Sequence, residues 1–219
     1  MEERHREATP AWDGSDPLPG EPLAIAARWL EEAFAAGLQS EPHAAALATQ
    51  EPDGSPAVRM VLCQAIDAVG GSLAFYTHRE SAKGRALAVH PRAALCFFFG
   101  PQSRQVRVSG PVALASDAAS DAYFASRPRG AQLGTWASRQ SEPIASRAEL
   151  QRRVREVEVR FAEAAVARPP GWGGYLVHAE TVELWISGGP ARLHDRGRWT
   201  RSLSDPARPG PWRSERLQP

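Results

Sequence analysis

Arg192, His194 and Arg196 stand at alternate positions in the segment Trp185-Ile-Ser-Gly-Gly-Pro-Ala-Arg-Leu-His-Asp-Arg. In an extended chain successive side chains point to opposite faces, so these three would share one face, with Leu193 and Asp195 on the other. Two guanidinium groups and an imidazole together can hold an anion or move a proton, and they make a poor core. An isolated RxHxR is also how a solvated edge strand reads, so its meaning depends on the rest of the chain.

Other donors recur where strands should end: Arg59, then Tyr76-Thr77, Ser81 and Lys83, then Arg104-Gln105, then Arg139-Gln140-Ser141. Each alone reads as a solvated strand end. Together they offer guanidinium, ammonium, hydroxyl and amide groups, the set that a phosphorylated heteroaromatic ligand requires. Trp136, Trp172 and Trp185 can supply apolar walls. Hydrolase chemistry is poorly supported, since no GxSxG occurs. The histidines, His5, His43, His78, His90, His178 and His194, lack metal-ligand spacing, so no metal is expected.

The elements that must position these groups follow from periodicity. Pro22–Leu38 places Leu23, Ala26, Ala27, Leu30 and Phe34 at helical spacing and ends near Gly37. Two strands then flank the turn Pro52-Asp-Gly-Ser, and a third strand, SLAFYTH, follows Gly70-Gly71. Ser81–Val89 reads as a short helix stopped before Pro91. RAALCFFFG and SRQVRVSGPVALA read as strands, Asp117–Ser126 and Glu149–Ala167 as helices, YLVHAETVELWIS as one or two strands, and GRWTRSL as the last. Six or seven short strands with hairpin-length connections favour an antiparallel barrel with peripheral helices over a doubly wound sheet. The nucleotide-binding signatures GxGxxG and the Walker loop are absent.

The formal net charge of +1 argues against a nucleic-acid surface. No apolar run approaches the ~20 residues of a membrane helix. Cys63 and Cys96, each inside an apolar run, read as reduced core thiols of a cytoplasmic protein. Residues 1–21, charged and rich in Pro and Gly, read as a flexible arm rather than a signal peptide, ahead of a single domain over 22–219.

RMVL at Arg59–Leu62, FYTHRESAKG at Phe75–Gly84, SRQVRVSG at Ser103–Gly110, YFASRP at Tyr123–Pro128, ASRQS at Ala137–Ser141 and the VELW…RLHDR segment occur in one order. With them the chain closely resembles the pyridoxamine 5'-phosphate oxidase family over about Pro22 to Pro219. The resemblance implies a mainly β, Greek-key-like split β-barrel with peripheral helices, working as a homodimer with FMN at the interface. It implies that Arg59, Met60, Val61, Leu62, Tyr76, Thr77, Lys83, Gln105, Gln140, Ser141, Trp185 and Arg196 hold the FMN. Tyr123, Arg127 and the positions of Gln64 and Ala131 would bind the phosphate of a small N-heterocyclic substrate, and Arg192 and His194 would face that substrate as catalytic groups. The implied reaction is hydride transfer from a substrate carbon to the flavin, with dioxygen as acceptor and hydrogen peroxide as product.

The chain departs from the family pattern in places. Gln64 replaces a lysine and Ala131 a serine of the substrate-phosphate pocket, Ala82 replaces an arginine beside the FMN phosphate, and one extra residue lies between Trp185 and Arg192. No counterpart of the N-terminal Arg/Tyr segment that covers the substrate is found. These losses resemble the flavin oxidases of phenazine biosynthesis, which act on unphosphorylated dihydro-heterocycles. Three readings follow: a pyridoxine/pyridoxamine 5'-phosphate oxidase, a secondary-metabolism oxidase that aromatises a reduced N-heterocycle, and a flavin-binding protein without turnover. The presence of Tyr123, Arg127, Arg192 and His194 favours the first.

Overall fold

A computed structural model describes residues 12–204 and 209–219. Five helices and nine strands follow in chain order: α1 (Pro22–Ala36), β1 (Ala44–Gln50), β2 (Pro56–Asp67), β3 (Ser72–His78), α2 (Ala82–Val89), β4 (Arg92–Phe99), β5 (Arg104–Leu114), α3 (Asp117–Ser126), α4 (Arg129–Ala137), α5 (Arg147–Phe161), β6 (Trp172–His178), β7 (Thr181–Ile186), β8 (Asp195–Thr200) and β9 (Arg213–Arg216). The sheet order is β4-β1-β2-β3-β6-β5-β7-β8-β9, and an added β4–β5 pairing closes the first six strands into a barrel. All the pairings are antiparallel, as expected from the hairpin-length turns.

The closure depends on β5. Arg104–Ser109 pairs with β4 on one edge and β7 on the other, whereas Val112–Leu114 pairs with β6. Gly110 sits at the change of partner, where a Cβ would lie 2.0 Å from the His178 carbonyl oxygen. Only a residue without a side chain lets the backbones pass so closely.

Inward alternation along β1 and β4 buries Leu47, Leu95, Phe97 and Phe99 with Phe75, Leu184 and Trp199. Helix α1 closes this core, but on a face rotated from the expected stripe. Pro22, Ile25, Ala26, Trp29 and Ala33 are buried with Leu23, while Phe34 is 51% exposed. Trp29 has the most apolar surface to remove from water, and its burial sets the helix rotation. A second apolar cluster, Phe124, Leu133, Val166 and Trp172, joins α3 and α4 to β6.

Several boundaries differ from the sequence reading. Helix α4, in a stretch given no element by the sequence reading, forms directly after Pro128. Helix α5 stops at Phe161 instead of Ala167, because the chain turns at Ala162 with φ of 38° and Arg129 takes up the carbonyls of Ala162 and Ala164. Strand β9 lies beyond the last expected strand. No helix among the described residues is long and apolar enough to cross a membrane.

Of the expected arm over 1–21, residues 1–11 lie outside the described residues. Residues 12–21 lie on the barrel: Trp12 is buried, stacks on Trp29 with ring centroids 6.2 Å apart and meets Trp199 edge-on at 5.8 Å. The Trp199 indole N–H donates to the Pro19 carbonyl at 2.7 Å, and Arg216 bonds the Gly14 carbonyl and Asp16, each at 2.8 Å. Truncating a buried indole costs about 3 kcal/mol or more. Trp12→Ala should therefore lower stability by that amount in urea unfolding, a loss that a truly mobile arm would not produce.

Candidate functional site

A cleft of about 570 Å³ opens between β2, β3 and the α3–α4 pair, a size suited to a cofactor or drug-sized ligand. Its lining includes Met60, Val61, Leu62 and Gln64 from β2, Tyr76 and Thr77 from β3, and Lys83, Tyr123, Arg127, Ala131 and Gln140. The β2–β3 register slips between Cys63 and Ala65, a bulge that re-aims Gln64. Among the described residues Gln64 is held only by a long 3.4 Å contact from its Nε2 to the Leu62 carbonyl. Tyr76 lies opposite Gly174 in the β3–β6 ladder, and a Cβ at Gly174 would come within 2.7 Å of its ring. That space lets Tyr76 stack on Tyr123 at 4.1 Å and on Trp172 at 5.6 Å, forming an aromatic wall.

At the start of α2, Ser81 caps the helix, its Oγ accepting from the Gly84 N–H. Lys83 projects from this first turn and is only 7% exposed. Its Nζ donates to Gln140 Oε1 at 2.9 Å and Thr77 Oγ1 at 3.1 Å, and Thr77 in turn donates to Gln140 Oε1 at 2.8 Å. None of these partners is charged, and no carboxylate lies within ion-pair distance of Lys83 among the described residues. Burial first, and the Arg59 charge second, push its ammonium down to about 8 from 10.5. A buried ammonium held by neutral acceptors is completed by an anion, so the residues fit a bound phosphate group.

The same cleft holds His78, which the sequence reading left among unassigned histidines. Its pKa is lowered, first by burial and then by the Lys83 charge. Tyr123 is raised by burial, and Arg127 is lowered by burial, with the guanidinium 4.9 Å over the Trp172 ring. Thr135 and Ser138, also unforeseen, line the cleft from α4 and its end. Only the helix, unrecognised in the sequence, would have placed Thr135 on the same face as Ala131.

The remaining expected residues lie elsewhere on the chain. Arg59 is engaged on the β1 side, with Nη1 on Thr49 Oγ1 at 2.6 Å and Nη2 on Glu51 at 3.2 Å. Ser141 is exposed with φ of 75°. Gln105 pairs with Trp185, and Trp185 with Arg196, across the β5–β7–β8 ladder. Arg196 is fixed by Glu183 at 2.9 Å and by the Gln218 carbonyl at 3.0 Å. His194 lies with its ring 4.7 Å from that of Trp185 and accepts the Gly188 N–H at Nδ1, at 3.0 Å, which leaves its proton on Nε2.

The strand alternation expected for Arg192, His194 and Arg196 is not formed. The ladder begins at Asp195, while Arg192 ends a 3₁₀ turn in the left-handed region with φ of 57°. The Gly188–Gly189–Pro190 turn spends those residues on a reversal, so His194 is aimed by the Gly188 contact rather than by pleating. Arg192 is exposed and makes no side-chain bond among the described residues.

Residues 30–161 match the family model described as Pyridoxamine 5'-phosphate oxidase. The chain belongs to that family. Residues 172–219 match a second one, described as Pyridoxine 5'-phosphate oxidase C-terminal dimerisation region. The chain is 50% identical over 210 residues to a pyridoxine/pyridoxamine 5'-phosphate oxidase of Rubrobacter xylanophilus, covering 95% of this chain and 90% of that one. It is also 50% identical over 188 residues to one of Anaeromyxobacter dehalogenans, covering 84% and 93%. Among solved structures, PhzG of Burkholderia lata 383, in complex with tetrahydrophenazine-1-carboxylic acid, superposes with a TM-score of 0.83 at 30% identity over 94% of this chain and 96% of that one. As a member of the pyridoxamine 5'-phosphate oxidase family the protein is an enzyme, a flavin-dependent oxidoreductase.

Between about 8 and 10.5 the unfolded chain keeps the Lys83 proton while the ligand-free folded protein releases it. The unfolded state then binds more protons, so this residue's contribution to stability rises with pH across that window. Urea titrations of ligand-free protein should show parent stability rising relative to Lys83→Met from about pH 7.5 to pH 10. Affinity for a phosphate-bearing ligand should move the opposite way, falling as Lys83 loses its charge.

Proposed function

We propose that the protein is an FMN-dependent oxidase of pyridoxine 5'-phosphate and pyridoxamine 5'-phosphate, forming pyridoxal 5'-phosphate with dioxygen as acceptor, and that it works as a homodimer. The observation that carries this is the uncompensated Lys83 ammonium in a cleft shared with Arg127: two cations in one cavity, one for each of two phosphorylated ligands. The 50% identity to enzymes named for this reaction supports the same reading.

Lys83, Thr77 and Gln140 would hold the FMN phosphate, with Met60–Leu62 along the flavin. Bound FMN supplies a two-electron acceptor that dioxygen reoxidises with release of hydrogen peroxide. Tyr123 and Arg127 would bind the substrate phosphate and so fix the heterocycle relative to the flavin. His194, with Nδ1 occupied by Gly188, would offer Nε2–H as a hydrogen-bond donor. Arg192, without a side-chain partner among the described residues, would place positive charge beside the substrate.

Gln105, Trp185, Arg196, Arg192 and His194 do not line the Lys83 cleft, and four of them lie in the segment matching the dimerisation region. Two copies related by a twofold axis would bring the two half-sites together twice. Val58, Met60 and Leu62, 70%, 62% and 44% exposed on β2, form an apolar strip, of which Met60 and Leu62 line the cleft, suited to such a contact.

A second reading, oxidation of an unphosphorylated reduced heterocycle, is favoured by the neutral Gln64 and Ala131 and by the PhzG likeness. Steady-state assays decide: the FMN-loaded protein should consume oxygen and release peroxide with pyridoxine 5'-phosphate. Absence of turnover at saturating substrate, with turnover of a dihydrophenazine carboxylate, would establish the second reading instead. The shared site has its own test. Lys83→Ala and Arg196→Ala should each abolish most activity, whereas hybrids of the two regain about a quarter of parent activity, one intact site in half of the dimers.

A further inference from the structure

Arg127 leaves the end of α3 with its guanidinium in the cleft, and no carboxylate pairs with it among the described residues. Its Nη1 donates to Thr135 Oγ1 at 2.8 Å while the group lies 4.9 Å over Trp172 and 5.6 Å from Phe124. The Thr135 hydroxyl is committed: it donates to the Ala131 carbonyl at 2.8 Å, so it presents only a lone pair to the guanidinium. Thr135 is 7% exposed, and Gln132, on the same helix, ties α4 to the end of α3 through the Phe124 and Ala125 carbonyls. The acceptor is thus fixed relative to the residue it serves. A guanidinium carries five N–H donors, and one is spent on Thr135. Ala131, one turn earlier on the same face, contributes only a methyl to the cleft, so no hydroxyl at that position shares the ligand.

We propose that Thr135 is a positioning residue of an anion subsite in this cleft, pinning Arg127 against Trp172 so that its remaining donors meet the phosphate of the substrate. The subsite rests on the reading given above, and it assigns the orienting hydroxyl to Thr135. Thr135 acts through Arg127 and touches neither substrate nor cofactor. Without the hydroxyl the charge stays, but the long side chain regains its rotamers and binding becomes less directed.

The test uses the FMN-loaded protein and calorimetric binding of pyridoxal 5'-phosphate and of pyridoxal, the same ring without phosphate. Thr135→Ala, which keeps helix propensity, should weaken the phosphorylated ligand about five- to tenfold, and Thr135→Ser should restore it to within about twofold. Thr135→Val keeps the shape of the side chain and should behave as Thr135→Ala does. Binding of pyridoxal should be the same in all four proteins. Equal weakening of both ligands would make Thr135 a packing residue and overturn the proposal, as would unchanged pyridoxal 5'-phosphate binding in Thr135→Ala and Thr135→Val. Oxidation of pyridoxine 5'-phosphate by the parent without Thr135-dependent binding would defeat this subsite alone. Thr135-dependent binding without oxidation would defeat the functional reading alone.

Discussion

A strand has two hydrogen-bonding edges, and β5 uses them for three partners: β4 and β7 along its first half and β6 along its second. Such sharing is possible only if the backbones separate within one residue, which Gly110 allows by leaving the His178 carbonyl the space a Cβ would need. Closure of the six-stranded barrel follows from the β4 and β6 pairings, and the β7–β8–β9 extension from the third. Both clusters of candidate residues hang on this branch point. The Lys83 cleft lies beside the β3–β6 ladder, and the Trp185–Arg196 cluster stands on the extension.

Electrostatics divides the same way. At the extension, Arg196 of β8 and Arg107 of the adjoining β5 both reach the buried Glu183, so that charge is balanced within the fold. In the cleft, Lys83 and Arg127 are held by hydroxyls, an amide and aromatic faces, none of which neutralises them. Such an arrangement costs stability in the absence of ligand and returns it when an anion binds. It is the separation expected between groups that shape a structure and groups reserved for a ligand.

Much of the barrel was legible in the sequence, because alternation and turn chemistry are local. The strands from β1 to β7 fall where Pro-Asp-Gly-Ser, Gly-Gly and the apolar runs place them. Helix α4 escaped notice because Gly130 and Gly134 lower its propensity and its stability comes from packing Leu133 against Phe124 and Trp172. The rotation of α1 was set by Trp29 stacking on Trp12, which in turn meets Trp199, a residue far away in sequence. The candidate site residues were singled out first as donors recurring at strand ends, and their roles came only from the resemblance to a family. Even so, the reading of Arg192, His194 and Arg196 as one strand face failed, since the Gly-Gly-Pro turn reaches as far as Arg192. Thr135 was invisible for the same reason as its helix.

The pairing of β3 with β6 carries a consequence for how the chain acquires its shape. Ser72 faces His178 and His78 faces Trp172, so partners stand roughly a hundred positions apart, a closure that grows costly only slowly with length but delays contact formation. Helices α3, α4 and α5 all lie within the segment that this pairing closes. The aromatic wall joins Tyr76 of β3 to Tyr123 of α3 and Trp172 of β6, so it cannot exist until that long-range ladder has zipped. The β1–β2 hairpin and the β4–β5 pair can form early from near neighbours. The ligand cleft is therefore among the last parts of the molecule to be built, and a ligand that fills it acts on a nearly finished barrel.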